Sequence, residues 1–271
     1  MKQFNDQHKL FFGVILVALL FTGFCLTGWF FARNQIIRRP EYRLSADRIL
    51  ITVPPPWVPE NFVPEVLQSS GLDTSTTLFD NTLPQKLSQA FLASPWVEEV
   101  RQVQIRYPAG AEVQLVYRVP VALVEMVSQG LYPVDRNGIL LPTDYFISVA
   151  PEKKENYLRI TGIRSMPLGV TGTLWGDPLV HTAAQLAGLL EDVTQKLGLV
   201  KIIPSHEATP TGHRITCRLQ TNSKTEVLWG RFEPNDPKNS SKKKHLLEIA
   251  ELYHSLDNVP AQFQPIDLSK D

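Results

Sequence analysis

The sequence contains almost no cysteine. Cys25 and Cys217 are the only two in 271 residues. One lies inside a hydrophobic run and the other far from it, so no disulfide framework is expected, and the redox compartment stays open. Net charge is missing as well. Lys and Arg total 27 and Asp and Glu total 27, a balance without the electrostatic footprint of a nucleic-acid binder. Motifs for chemistry are also absent: there is no P-loop, no Gly-x-Gly-x-x-Gly and no Gly-x-Ser-x-Gly. The histidines are His8, His181, His206, His213, His245 and His254. None forms an HExxH pair or sits at zinc-finger spacing with cysteine. His213 and Cys217 would share one face of a strand, but two ligands do not close a metal site. Ser205-His206-Glu207 are sequence neighbours, which says nothing about a triad. The expectation is a protein that is not an enzyme, with no catalytic residue, cofactor, metal or small-molecule substrate.

What is present is one long apolar run. Leu10 to Ala32 carries no charge and exceeds the roughly 20 residues that cross a bilayer core of ~30 Å as a helix. Trp29, Phe30 and Phe31 close it, where aromatics settle at headgroups. The run is too long for the apolar region of a cleaved signal peptide, and Phe24 before Cys25 speaks against a lipoprotein. The expected order is a short tail (residues 1–9), a transmembrane helix (10–32), a connector (33–47), a first domain (48–120) and a second domain (121–271). The flanking charges, Lys2 and Lys9 before the run and Arg33, Arg38, Arg39, Arg43 and Arg48 after it, would by themselves hold the large domain in the cytoplasm. That rule weakens for long segments.

The fold class expected beyond the helix is α+β. Arg48 to Val53 reads as a strand ended by Pro54-Pro55-Pro56. Phe62 to Ser69 reads as a helix closed by Gly71. A second helix starts near Asn81-Thr82 with the stripe Leu83, Leu87, Phe91 and ends before Pro95. Val103, Ile105 and Tyr107, then Val113, Leu115, Tyr117 and Val119, alternate with polar neighbours around Pro108-Ala109-Gly110, which predicts a β-hairpin. Trp96 and Tyr107 should face its core. In the second domain, strands are expected at 122–127, 130–134, 139–141, 157–161, 199–203, 214–220 and 226–229, with Asn137-Gly138 as a turn. Leu179 to Leu197 predicts an amphipathic helix stopped by Gly198. Residues 235–243 read as a polar loop, Leu246 to Leu256 as a last helix and Phe263 to Leu268 as a final strand. Lys242-Lys243-Lys244 is the densest charge run; it reads as a solvated loop and helix start or as a contact for anionic lipid or cell-wall polymer.

This order of parts resembles the FtsQ/DivIB family of bacterial cell-division proteins. The residues that carry the resemblance are Ser94-Pro95-Trp96-Val97, Tyr107-Pro108, Arg118-Val119-Pro120-Val121-Ala122, Val134-Asp135-Arg136-Asn137-Gly138, Leu158-Arg159-Ile160-Thr161-Gly162, Val227-Leu228-Trp229-Gly230 and Ile266-Asp267-Leu268. It departs from the family at Pro54-Pro55-Pro56, where a glycine is usual, and in the irregular stretch 163–178. The resemblance implies a POTRA domain (strand-helix-helix-strand-strand) followed by a β-rich α+β domain, both exported from the bacterial inner membrane. It implies a scaffold of the divisome that recruits FtsB- and FtsL-like bitopic proteins at the septum. A membrane-anchored POTRA chaperone or secretion component shares the order of parts and stays open beside it.

The implied partner-binding residues are Phe263, Gln264, Pro265, Ile266, Asp267 and Leu268. Proline inside a strand belongs on an edge, and an edge offers backbone groups to an added strand. The plainer alternative is a strand that merely closes the sheet. On the partner reading, Ile266 supplies an apolar contact to the partner and Gln264 a backbone donor.

Overall fold

The structure, a computed structural model, describes residues 3–37, 42–72, 76–77, 79–106, 110–126, 130–143, 157–209, 212–260 and 263–269. It is mixed α+β and divides into two compact units, neither of them a continuous stretch. One comprises Met1–Ile51, Val63–Ala90 and Gln102–Gln114; the other comprises Thr52–Phe62, Phe91–Arg101 and Leu115–Asp271.

The first unit begins with helix α1 (Gln3–Ile37). Within it, Ile15–Arg33 is long and apolar enough to cross a membrane, and none of it is buried in the protein. At 1.5 Å per residue the whole helix reaches about 50 Å, more than the bilayer core alone requires. Strand β1 (Ile49–Ile51) pairs in parallel with Ala111–Val113 of β3 (Gly110–Tyr117). β1 starts one residue later than expected because the chain enters it through a 3-10 turn at Ala46–Arg48, closed by the Arg48 N–H on the Ser45 carbonyl, and it ends at Ile51, two residues early. Helices α2 (Phe62–Ser69) and α3 (Leu83–Leu92) follow the expected limits closely. Val66, Leu67, Leu83 and Leu87 are buried, so the apolar stripes read from spacing are the faces that pack. The hairpin strands β2 (Val97–Arg106) and β3 alternate as expected, with Ala111, Val113, Leu115 and Tyr117 buried. Val119 is exposed, because regular pairing ends at Tyr117. Trp96 is buried; Tyr107 lies outside the described residues. The three strands run in the order β1-β3-β2.

The second unit is built on a seven-stranded sheet, β10-β9-β8-β7-β6-β4-β5. Its strands are β4 (Pro120–Met126), β5 (Gly130–Asp135), β6 (Leu158–Ile160), β7 (Leu199–Thr209), β8 (Gly212–Thr221), β9 (Glu226–Arg231) and β10 (Ile266–Asp267). Helix α4 (Pro178–Leu190) starts at Asp177, whose carboxylate accepts from the Leu179 N–H, and buries Val180, Ala183, Leu186 and Leu190. These meet Val124, Ile160, Ile202, Leu219 and Trp229 in one core. Helix α5 spans Lys238–Leu252.

Four expectations differ from this sheet. The helix expected to reach Leu197 stops at Leu190; turns follow, with the Val193 and Thr194 N–H groups both on the Leu190 carbonyl. Val193 and Leu197 stay buried, so the apolar stripe outlasts the helix. β7 runs on at its end and β8 begins early, because the residues about their shared turn, such as exposed His206 and Glu207, are held by strand pairing and not by burial. The strand expected at 139–141 is reduced to single bridges, Val134 to Leu140 and Ile139 to Leu174. The loop expected at 235–243 is already helical from Lys238, which the polar composition of its solvent face concealed.

The base of the hairpin belongs to this second unit. The Arg118 N–H donates to the Trp96 carbonyl, and Trp57 Nε1 donates to the Arg118 carbonyl at 3.1 Å. The Arg118 guanidinium lies 2.8 Å from the Asp135 carboxylate. Hence β3 contributes to both units, where the sequence suggested two continuous segments, 48–120 and 121–271.

Candidate functional site

The sheet has two margins, and the chain treats them differently. β5 is covered along its second half. The Leu141 N–H donates to the Pro133 carbonyl and the Asp135 N–H to the Ile139 carbonyl, so the returning chain takes up β5's outward groups. β10 closes the other side with two residues, paired in parallel with β9 as Ile266 to Val227 and Asp267 to Leu228. Among the described residues, β9 is its one strand neighbour.

The direction of the backbone groups in β10 follows from one bond. The Leu268 N–H donates to the Leu228 carbonyl at 2.9 Å. Leu268 and its alternate Ile266 therefore turn their backbone groups toward β9, and the residues between them turn theirs toward the outer margin. Pro265 falls on that outward side, where a missing N–H costs no sheet bond. Side chains sort equally clearly. Ile266 and Leu268 are 6% and 0% exposed and belong to the core. Phe263 is 56% exposed, and Pro265 and Asp267 are exposed beside it.

Two parts of the sequence expectation are thereby corrected. Ile266 cannot offer its side chain to a partner, because the core under the sheet already holds it. Gln264 lies before the two-residue strand and not inside one running over Phe263–Leu268, and its side-chain amide donates to the Val259 carbonyl at 2.7 Å. What is exposed here is Phe263, Gln264, Pro265 and Asp267.

The margin is braced from within. Gly230 has φ +76, and a Cβ there would come within 3.0 Å of the Ser269 backbone. Only glycine lets the chain after β10 lie so close to β9. Asp267 accepts from the Ser269 N–H at 2.9 Å. The Lys242 ammonium donates to the Trp229 carbonyl at 2.8 Å and stands 5.9 Å from its indole ring. Trp229 is fully buried, and among the described residues its Nε1 has no hydrogen-bond partner. No family model matches this chain, and no curated protein does. The geometry must therefore carry the functional reading.

The lysine run is neither a solvated loop nor an open basic patch. Lys242 is 5% exposed and ties α5 to β9. Lys243 reaches the Asp192 carboxylate at 2.6 Å and the Leu189 carbonyl at 3.0 Å; this bond holds the Asp192 carboxyl below its ordinary value. Lys244 is the exposed member, 3.7 Å from Glu248. The sequence signal for this was helical spacing from Lys242 to Leu246 and Ile249, which places Lys242 on the inner face.

The histidines are dispersed. His181 Nδ1 lies 2.9 Å from the Asn137 carbonyl, and His206 and His213 meet edge to face with centroids 6.3 Å apart. Among the described residues, no group of three or more His, Cys, Asp or Glu is arranged to hold a metal ion. Cys217 is buried under the sheet, and burial pushes its thiol up to about 12. A thiol held neutral to that degree is a packing residue and not a nucleophile.

Proposed function

We propose that this chain is a non-enzymatic, membrane-tethered scaffold of the FtsQ/DivIB type, acting in the bacterial divisome. On this reading α1 spans the inner membrane once, residues 48–120 form a POTRA domain, and both folded segments are exported. Supporting the POTRA assignment are the order strand-helix-helix-strand-strand and the parallel pairing of β1 with β3 in the order β1-β3-β2. The single observation that carries the functional reading is the margin at β10. It ends the sheet with outward backbone groups and an exposed phenylalanine, while the second half of the opposite margin is covered by its own chain. An FtsB- or FtsL-like bitopic protein would add a strand there, its backbone taking the outward groups and its side chains packing on Phe263 and Pro265.

The experiment is a pull-down of the full chain from detergent-solubilised membranes with bitopic coiled-coil partners. Phe263→Asp should lose the partner and keep the fold, since the ring is not part of the core. Full retention would move the interface to the hairpin β2–β3. Capture of outer-membrane barrel precursors in place of bitopic proteins would replace the division reading with a chaperone one. Alkaline phosphatase fused after Asp271 should be active; an inactive fusion would place the folded part in the cytoplasm and end this reading.

A further inference from the structure

One face of the seven-stranded sheet is covered by α4. The other carries a groove of about 600 Å³ across β6, β7 and β8, lined in part by Arg159, Lys201, Gln220, Asn222 and Lys224. Strand pairing sets the arrangement. Arg159 lies opposite Lys201, and Lys201 opposite Gln220, so three long polar side chains form one row. Their neighbours Leu158, Ile160, Ile202 and Leu219 point the other way into the core.

The row is costly as it stands. Like charges directly opposite on paired strands repel. Arg159 and Lys201 are half-buried, which strengthens that repulsion. Several other basic side chains of this unit have an acid: Arg118 has Asp135, Lys196 has Glu251, Arg218 has Glu226 and Lys243 has Asp192. Among the described residues, Arg159, Lys201 and Lys224 have no such partner, and no carboxylate lines the groove. Glu226, at the end of the same row, lies 3.9 Å from Arg218. Lys224 sits at φ 67 in the β8–β9 turn, a conformation that side-chain-bearing residues rarely adopt.

We propose that this groove binds an acidic peptide segment of a partner protein, its carboxylates placed between Arg159, Lys201 and Lys224. The chemistry favours a peptide over other anions. A membrane-binding face would show a cluster of apolar or aromatic side chains for insertion, and among the lining residues Val200 and the half-buried Tyr157 are the two of that kind. A phosphate site would offer a glycine-rich backbone cradle or a helix start, and the lining is strand and turn. Spaced cations beside amide donors suit carboxylates distributed along a chain. The site is separate from the β10 margin, and the identity of the peptide's owner rests on the scaffold reading above.

The test uses the full chain in nanodiscs of zwitterionic lipid, with a fluorescein-labelled oligoglutamate peptide followed by anisotropy. Oligoglutamate should bind and oligolysine should not, with affinity falling steeply as ionic strength rises from about 0.05 to about 0.5 M. Arg159→Glu with Lys201→Glu should weaken binding by about tenfold or more. If that pair fails to fold by circular dichroism, Arg159→Gln with Lys201→Gln decides the matter, with a smaller loss expected. Phe263→Asp should leave oligoglutamate binding unchanged, which separates this site from the partner edge. Absence of binding, equal binding by the charge-altered variants, displacement by millimolar inorganic phosphate, or a preference for phosphatidylglycerol vesicles through the same cations would each overturn the assignment.

Discussion

The two margins of one sheet are finished by opposite means. At β5 the chain turns back, and the Asp135 carboxylate organises the return. One oxygen accepts the Asn137 and Ile139 N–H groups at 2.8 and 2.9 Å, and the other meets Arg118 at 2.8 Å. Asp135 is 2% exposed, so these bonds replace the water it has lost. At β10 the sheet stops after two residues, held by apolar side chains from below and by the close approach of Ser269 to Gly230. The covered margin is committed to its own chain through a buried polar hub. The other is anchored chiefly by the apolar side chains of its inner face. A surface can stay available to a partner when its anchoring is mainly apolar and one-sided.

The sharpest way to break this contrast is to remove the hub. Asp135→Ala leaves two turn N–H groups and a mostly buried guanidinium without their acceptor, and should cost about 3–5 kcal/mol in urea unfolding. A loss below about 1 kcal/mol would mean that the return at 137–141 is held by other contacts. Next in size is the inner anchor of β10. Ile266→Ala should cost about 2–3 kcal/mol, the low end for a buried isoleucine, since a two-residue strand can relax around the gap. An effect near zero would show that Ile266 is not committed to the core and would restore it as a partner contact.

A third test concerns two buried titratable groups, Cys217 in the core of this sheet and Tyr117 on the hairpin strand β3. Burial raises the Cys217 thiol from 9.0 to about 12 and the Tyr117 phenol from 10.0 to about 12. Both groups are neutral in the folded protein and ionise more readily once unfolded. Their contribution is complete below about pH 9 and is lost as pH climbs toward 12. Denaturant midpoints should therefore fall between pH 9 and 11, and Cys217→Ala should flatten the fall while leaving the Tyr117 part. A flat wild-type profile would contradict the burial of both groups. The smallest effect belongs to the outer face: Phe263→Ala should change stability by no more than about 0.5 kcal/mol, although the ring is proposed to matter most for the partner.

Parts of this were legible in the residues. The limits of α2, the start of α3 near Pro84 in its first turn and the alternation of β3 follow from local spacing and turn chemistry. Those signals depend only on neighbours in the chain. The alternation of Asp267 against Ile266 and Leu268 was legible too, since strand alternation is local. Which of the two sets would be buried was not, because that depends on where the core lies. The end of α4 at Leu190 was hidden, since buried Val193 and Leu197 keep helical spacing through a stretch of turns. The pairing of Arg118 with Asp135, 17 residues apart, and the burial of Lys242 against Trp229 are long-range packing outcomes that no motif announced.

By itself the sequence determined the apolar helix, the α+β class, most strand and helix positions and the alternation of each strand, because periods of 3.6 and 2 are properties of the backbone. Only the tertiary structure decided the rest. It placed β10 at one end of the sheet and the chain's own return at the other. It set Arg159 opposite Lys201, and it hid one lysine of a basic run while leaving another in solvent. Those are matters of which segments meet, and the free energy that selects among meetings comes from burying the whole core at once and not from any one stretch of chain.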